Sequence, residues 1–140
     1  MTHSRKLILA PVLALALAGA ACGSSEENDF VDSYNDATAP LAQLSSDLAG
    51  SPSKDSLGKV ADGLDDVGAR LAGLEAPDGA QDELDRMLAA IETNSEQVRS
   101  MAKAVRSGDV DTLSAATKEY ASAGSELVEA EQALREAVGG

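Results

Sequence analysis

The chain has 140 residues, with 24 acidic and 11 basic side chains, so its formal net charge at pH 7 is −13. A surface this acidic repels the phosphates of nucleic acids and anionic lipid headgroups, which argues against both as direct partners and permits cationic ones. The only histidine is His3 and the only cysteine is Cys22. Beyond Cys22 the sequence lacks the residues that histidine-dependent catalysis, cysteine nucleophiles, structural zinc and haem require. We expect a protein that is not an enzyme and has no cofactor.

The N-terminus has the three parts of a secretory signal peptide. Two basic residues, Arg5 and Lys6, precede an apolar stretch over residues 7–17, and small residues occupy positions 18–21. The apolar stretch is too short for a membrane-spanning helix, which needs about 20 residues. We expect this signal to be removed, which would leave a net charge of −15 on the remaining chain. The predicted divisions are a lipoprotein signal peptide at 1–21, a polar tether at 22–28 and one helical domain at 29–140.

Cys22 follows directly on these small residues and precedes the polar stretch Gly-Ser-Ser-Glu-Glu. This arrangement resembles the lipobox of bacterial lipoproteins, and with the acidic, alanine-rich remainder the chain resembles the small lipoproteins of actinobacterial type, many of unknown function. The resemblance implies a diacylglycerol on the Cys22 sulfur, cleavage just before Cys22, and attachment to the extracytoplasmic face of the cell membrane. Gly19 stands where the usual lipobox has leucine. The alternative is ordinary cleavage after Ala18-Gly19-Ala20, which would release a secreted protein.

Four segments carry apolar residues at alternating spacings of three and four, which is the pattern of helices packed along a narrow seam. No segment shows the alternation of a β-strand. The four series are Phe30, Tyr34, Ala37, Leu41, Leu44 and Leu48; Leu57, Val60, Leu64, Val67, Leu71 and Leu74; Leu84, Leu88, Ile91, Ser95, Val98, Ala102 and Val105; and Leu113, Ala116, Tyr120, Ala123, Leu127, Ala130, Leu134 and Ala137.

Short breaks separate these segments. Ser51, followed by a proline, can cap the second helix. Asp78 and Gln81 have the spacing of a capping box for the third helix, and Gly108 followed by Asp109 combines a glycine stop with an aspartate cap for the fourth. Because all three connections are short, neighbouring helices are predicted to run antiparallel. The predicted fold is all-α, an antiparallel up-and-down four-helix bundle.

Two features disturb this regular pattern. Pro40 interrupts the first segment without breaking its phase, so we predict either a kinked helix or two short helices. The second segment has glycine at every fifth position, and each glycine costs about 1 kcal/mol relative to alanine in a helix interior. We expect this second helix to be the least stable. The glycines are Gly58, Gly63, Gly68 and Gly73.

Three residues are candidates to line a small pocket between the helices. Asn94 lies beside the seam about halfway along the third segment, and Tyr34 and Tyr120 can approach it from other helices. The alternative is that a central polar residue fixes the helix register, while each tyrosine buries its ring and keeps its hydroxyl in water.

Two clusters of acidic residues, within 62–66 and 82–85, fit no calcium-binding loop pattern, and acidic residues near a helix start are favoured by its dipole. We therefore predict no metal site. The basic residues Arg99, Lys103 and Arg106 are explained by the negative end of the third helix.

Together these observations predict a membrane-anchored envelope lipoprotein that acts as a non-enzymatic helical interaction module for another envelope protein, with no nucleic acid partner. The alternative is an extracytoplasmic binding protein for a small apolar or cationic ligand held between the helices.

Overall fold

The computed structural model describes residues 25–50 and 53–139, and within these ranges it contains helices and no strand. The predicted signal peptide, Cys22 and the predicted cap Ser51 lie outside the described residues. The all-α helical bundle is confirmed. The helices are α1 (Ser25–Thr38), α2 (Pro40–Ala49), α3 (Lys54–Ala72), α4 (Gln81–Ser107) and α5 (Val110–Gly139).

The first helix begins earlier than the predicted domain boundary. Residues 25–28, predicted as part of a polar tether, form the first turn of α1. The predicted boundary at residue 29 therefore lies inside this helix. The acidic side chains of Glu26 and Glu27 in its first turn favour a helix start here, because negative charge interacts favourably with the positive end of the helix dipole.

The first predicted segment is two helices that meet at one residue. Pro40 has no N–H group to donate to the carbonyl of Asp36, so the helical hydrogen-bond pattern is interrupted there. Ala39 nevertheless keeps right-handed helical dihedral angles, and its N–H donates to the Asn35 carbonyl at 3.0 Å. The chain thus passes from α1 to α2 with its apolar face in phase, and Pro40 occupies the first position of α2, which proline tolerates.

The helix caps differ in part from those predicted. The helix α3 starts after Ser53, whose side chain accepts a hydrogen bond from the Ser56 N–H at 3.1 Å in a reciprocal capping box. The predicted capping box at α4 is wrong: the N-cap is Ala80, and no described side chain caps this helix. The Gln81 side chain donates instead to Asp85 at 2.8 Å, one turn further along.

The predicted stop and cap between α4 and α5 are confirmed. Gly108 has a φ of 70°, the left-handed conformation that glycine adopts most readily after a helix. The side chain of Asp109 accepts a hydrogen bond from the Thr112 N–H at 2.9 Å. Hydrogen bonds from the N–H and the hydroxyl of Thr112 hold the pKa of the Asp109 carboxyl below its usual value, as expected for a carboxylate at a helix start.

The helix α4 packs on its chain neighbours α3 and α5, and α2 packs on α3. The helix α1 also packs on α3, although α2 lies between them in the chain. The helices α3 and α4 run antiparallel. Asp62 contacts Arg99, whereas Asp65, later in α3, contacts Ser95, which is earlier in α4. The up-and-down order of the whole bundle stays a prediction.

Most of the predicted seam residues are buried, but α4 buries a wider face than its series predicts. Met87, Asn94 and Met101 are at most 3% exposed although they lie outside the predicted series. The reason is that α4 packs against helices on two sides. Two predicted seam positions are wrong: Val105, in the last turn of α4, is 40% exposed, and Ala137 is exposed.

Val138 takes the buried place at the end of α5 instead of Ala137. A straight helix drifts by about 20° per heptad from a strict 3.5-residue repeat. The apolar face therefore shifts along a helix of 30 residues.

The helices α2 and α3 approach each other closely at Gly63. A methyl group added at Gly63 would lie 2.5 Å from Cδ2 of Leu44, which is closer than packed carbon atoms come. At Gly58, by contrast, no described heavy atom lies within 4 Å of the corresponding position. One of the regularly spaced glycines thus provides room for a leucine of the neighbouring helix.

Candidate functional site

Tyr34 lies in the interior of the bundle. Its side chain is fully buried, its ring packs at a tilt against Phe30 with centroids 6.1 Å apart, and its hydroxyl donates to the sulfur of Met87 at 3.4 Å. Burial, reinforced by the negative charge of Glu131, raises the pKa of the Tyr34 hydroxyl. Tyr34 therefore stays neutral and joins α1 to α4 mainly through packing.

Asn94 and Ser95 are adjacent in the middle of α4 and are each 1% exposed, but only Ser95 is hydrogen-bonded. The Ser95 hydroxyl accepts a hydrogen bond from Arg99 at 2.7 Å and lies within donating distance of Asp65 and of the Ala61 carbonyl. The side-chain nitrogen and oxygen of Asn94 have no hydrogen-bond partner among the described residues. An unpaired buried amide costs about 1–3 kcal/mol of stability.

The predicted pocket residues are not brought together at one level of the bundle. The Tyr34 hydroxyl contacts Met87, which precedes Asn94 by seven residues, or about 10 Å along a helix that rises 1.5 Å per residue. Tyr120 is buried on α5, where burial raises its pKa to about 12. In the described ranges no hydrogen bond joins Tyr34, Asn94 and Tyr120. A single pocket lined by all three would have to extend along the bundle axis.

A polar network that the sequence did not reveal links α3 to α4. Arg99 donates hydrogen bonds to Asp65 and, at 3.3 Å, to Asp62. The hydrogen bonds from Arg99 and then from Ser95 hold the pKa of the Asp65 carboxyl below its usual value. The residue spacing was the one signal that could have revealed this network. Asp62 and Asp65 are three residues apart and Ser95 and Arg99 are four apart, so each pair lies on one face of its helix.

Arg99 therefore has a cross-helix role. The explanation by the negative end of α4 is wrong for this residue, because only Arg106 lies in the last turn. The carboxylates of Asp62 and Asp65, considered above as cation ligands, are engaged with its guanidinium. In the described part of the chain no group of three or more metal-ligating side chains is placed to hold a metal ion.

Glu131 is a buried carboxylate on α5. It is 4% exposed and forms an ion pair with Arg135, one turn along the same helix, at 2.9 Å. Burial raises the pKa of Glu131, while the positive charge of Arg135 opposes that rise. Sequence reasoning missed this residue because oppositely charged residues four apart usually lie on an exposed helix face.

The helix α1 and the connection between α3 and α4 enclose an open cleft of about 370 Å³. This volume is at the lower end of the range of about 300–1,000 Å³ that ligand pockets occupy. Apolar groups and carboxylates both contribute to its surface. The apolar lining is Phe30, Leu74, Ala76 and Pro77, and the polar lining is Glu26, Asp29, Ser33 and Glu75.

The two chain segments that form this cleft are strongly acidic. Residues 26–36 contain five acidic residues and no lysine or arginine, and the same is true of residues 75–85. These two runs hold ten of the 24 acidic residues of the chain. The lining of the cleft itself includes three carboxylates and no lysine or arginine.

The basic residues concentrate toward the opposite end of the α3–α4 pair. Lys54 and Lys59 lie near the start of α3, and Lys103 and Arg106 lie near the end of α4. Because these helices run antiparallel, their four positive charges share one end. Arg70, in the last turn of α3, and Arg86, near the start of α4, place two further positive charges at the end of the pair that carries the cleft.

Fold and surface together define the chain as an acidic, all-α helical bundle. Compared with protein-family models, with curated proteins and with solved structures, it has no match. No helix within residues 25–50 and 53–139 is long and apolar enough to cross a membrane.

Proposed function

We propose that the protein is an exported lipoprotein, held on the extracytoplasmic face of the cell membrane by acyl chains on Cys22, whose bundle is a non-enzymatic interaction module for another envelope protein. The observation that carries the second part is the acidic cleft between α1 and the α3–α4 connection. It is a solvent-open recess whose lining includes three carboxylates and no basic side chain, and such a surface attracts an oppositely charged partner.

The anchor rests on the signal pattern and on the position of the only cysteine directly after it. Two acyl chains give stable membrane attachment, whereas one chain binds only marginally. The helix α1 begins at Ser25, three residues after Cys22. A lipid on Cys22 would therefore hold the start of the bundle close to the membrane surface.

The interior of the bundle offers little for catalysis. The hydroxyls of Tyr34 and Tyr120 are buried with raised pKa values, so they are protonated at neutral pH and are poor bases. The buried carboxylate of Glu131 is paired with Arg135. These contacts support a binding role at the surface over a reaction inside the bundle.

The test is photo-crosslinking in membranes of the native host. A photoreactive amino acid is placed singly at three exposed positions, Ser33 on α1, Glu92 on α4 and Ser125 on α5. We expect at least one position to capture a discrete envelope protein, which must then bind the purified lipoprotein directly. Failure of all three positions to capture a protein, or substrate turnover by the purified protein, would contradict the proposal.

A second candidate function is favoured by one observation, the unpaired amide of Asn94. A small apolar or cationic ligand with a hydrogen-bonding group that reached this amide from between the helices would satisfy it. Thermal unfolding with a set of metabolites tests this, because a ligand at 100 times its Kd adds about 2.7 kcal/mol. A genuine interior ligand should lose its effect in Asn94→Leu, and a ligand that acts equally on both proteins is bound elsewhere.

A further inference from the structure

We infer that the cleft between α1 and the α3–α4 connection is the docking site for a segment of a partner protein that carries several lysine or arginine residues. This inference rests on the proposed function, because it assigns the surface and the partner chemistry of the same interaction module.

The lining suits long cationic side chains. The apolar lining includes buried Phe30 and half-buried Leu74 and Pro77. The exposed carboxylates of Glu26 and Glu75 flank it from the two sides of the cleft, one from α1 and one from the connection. Lysine and arginine combine an apolar stem with a charged end, so the stems can cover the apolar lining while the ends meet the carboxylates.

Charge complementarity extends beyond the cleft itself. The acidic runs 26–36 and 75–85 continue along α1 and into the start of α4, and neither contains a basic residue. The exposed carboxylates of Asp32, Asp78 and Asp82 on these two segments add to the negative charge of the cleft lining. Such a field speeds association and excludes acidic competitors.

A peptide segment fits these features better than a free cation. An open cleft leaves much of a small ion in water, where single exposed ion pairs contribute little. A peptide gains several such pairs at once and adds contacts with the apolar lining. Its cost of association is met once for the whole segment.

The position of the cleft restricts where the partner segment can lie. Glu26 is four residues after Cys22, so the chain between them spans at most about 14 Å. With Cys22 lipidated, the side of the cleft that carries Glu26 is held within that distance of the anchoring point. The segment it binds therefore lies close to the membrane surface.

The first experiment measures peptide binding to the full lipoprotein purified in detergent. The probe is a fluorescein-labelled hexapeptide of lysine alternating with alanine or leucine, and its matched control carries glutamate in place of lysine. Binding is followed by fluorescence anisotropy at about 0.15 M salt, where the Debye length of about 8 Å screens distant charges. We expect binding of the lysine peptide only.

Matched variants locate the site. The cleft variant combines Glu26→Gln, Asp29→Asn and Glu75→Gln. Loss of three exposed ion pairs of ordinary strength is expected to weaken binding about tenfold. The control variant removes the same charge from the exposed face of α5. It combines Glu119→Gln, Glu126→Gln and Glu129→Gln.

A second variant guards against an effect of net charge alone. Ser33→Lys places a cation inside the cleft while every carboxylate remains, and the control Ser125→Lys adds the same charge on α5. We expect Ser33→Lys to weaken binding and Ser125→Lys to leave it within about twofold. Equal effects of cleft and control variants, or no binding of the lysine peptide, would overturn the docking site.

Crosslinking separates failure of this inference from failure of the proposed function. If a photoreactive residue at Glu92 or Ser125 captures an envelope protein but one at Ser33 captures none, the interaction module stands and the cleft is the wrong surface. If Ser33 captures only lipid, the inference of a protein segment is likewise overturned. The docking site is supported if the residue at Ser33 captures a protein, the crosslinked peptide contains lysine or arginine, and the capture is lost in the cleft variant.

Discussion

Arg99 on α4 donates a hydrogen bond to Asp65 on α3, and the same guanidinium reaches Ser95 one turn earlier on its own helix. Ser95 in turn lies within donating distance of Asp65. Three side chains are thus joined at the edge of an apolar interface, at about half exposure for the two charged groups. A network with fixed geometry at this point specifies one register of α3 against α4.

The Arg99–Asp65 pair is expected to contribute modestly to stability. A double-mutant cycle with Asp65→Asn and Arg99→Gln should give a coupling free energy of about 0.5–1 kcal/mol in urea unfolding, because both groups are partly exposed. Asp66→Asn is the matched control, since Asp66 is exposed and makes no ion pair within the described helices. A coupling of zero would show that the network does not hold the helices together.

The Arg99–Asp65 pair also makes the unfolding free energy depend on pH in a predictable direction. The pKa of Asp65 is lower in the folded protein than its ordinary value of 3.8, so its contribution is present above that value and is lost as the pH falls through the folded pKa. The difference in unfolding free energy between the wild type and Asp65→Asn should therefore shrink below about pH 4. A difference that stayed constant from pH 7 to pH 2 would contradict the assignment.

Glu131 should show the opposite trend. Burial raises its pKa above the ordinary value of 4.5, so protonation favours the folded state, and its contribution is lost as the pH rises through the folded pKa. Relative to the wild type, Glu131→Gln should gain stability as the pH rises from 4 to 7. Thermal melts at several pH values check this, with the exposed Glu129→Gln as control.

Asn94 and Ser95 are neighbours with equal burial, and opposite responses to substitution are expected. Asn94→Leu removes an unpaired amide and should raise the unfolding free energy by about 1–2 kcal/mol, whereas Ser95→Ala should lower it by about 1 kcal/mol because its partners lose a hydrogen bond. Size-exclusion chromatography of Asn94→Leu shows whether the amide also fixes the oligomeric state. A loss of stability in Asn94→Leu would mean that the amide is satisfied or that the site has no room.

The helices were predictable because an apolar period of three and four residues determines which face is buried. Phe30, Leu64, Ile91 and Leu127 all lie in the core as expected. The start of the domain was set too late because the polar composition of residues 25–28 was interpreted as a tether. The predicted capping box of Asp78 and Gln81 was wrong because α4 starts only at Gln81, whose side chain donates to Asp85 one turn further along.

The cross-helix contacts were beyond the reach of periodicity. Pairing of Arg99 with Asp65, and burial of Glu131, depend on how far each helix is rotated and shifted against its neighbour. A period identifies the buried face only to within a residue or so at each turn. The cleft was missed for the same reason, because Glu26 and Glu75 are 49 positions apart in sequence and meet only through the packing of α1 near the end of α3.

Two of the three glycines of α3, Gly58 and Gly63, provide a test of the close approach between α2 and α3. Gly58→Ala should raise the unfolding free energy by about 1 kcal/mol, because alanine is the better helix former and the position is open. Gly63→Ala should gain less or lose stability, because the Leu44 side chain must move. Equal gains at both positions in urea unfolding would show that Leu44 does not pack against Gly63.

The central claim, a bundle held at the membrane by Cys22, is tested most directly by the intact mass and membrane partition of the protein from its native host, compared with Cys22→Ala. The account predicts that the native form fractionates with the membrane and carries the mass of acyl chains on a chain that begins at Cys22, while the variant lacks that mass and is lost from the membrane. If both forms are recovered without an acyl mass in the soluble fraction, the protein is not a lipoprotein, and the secreted alternative replaces the membrane-anchored one.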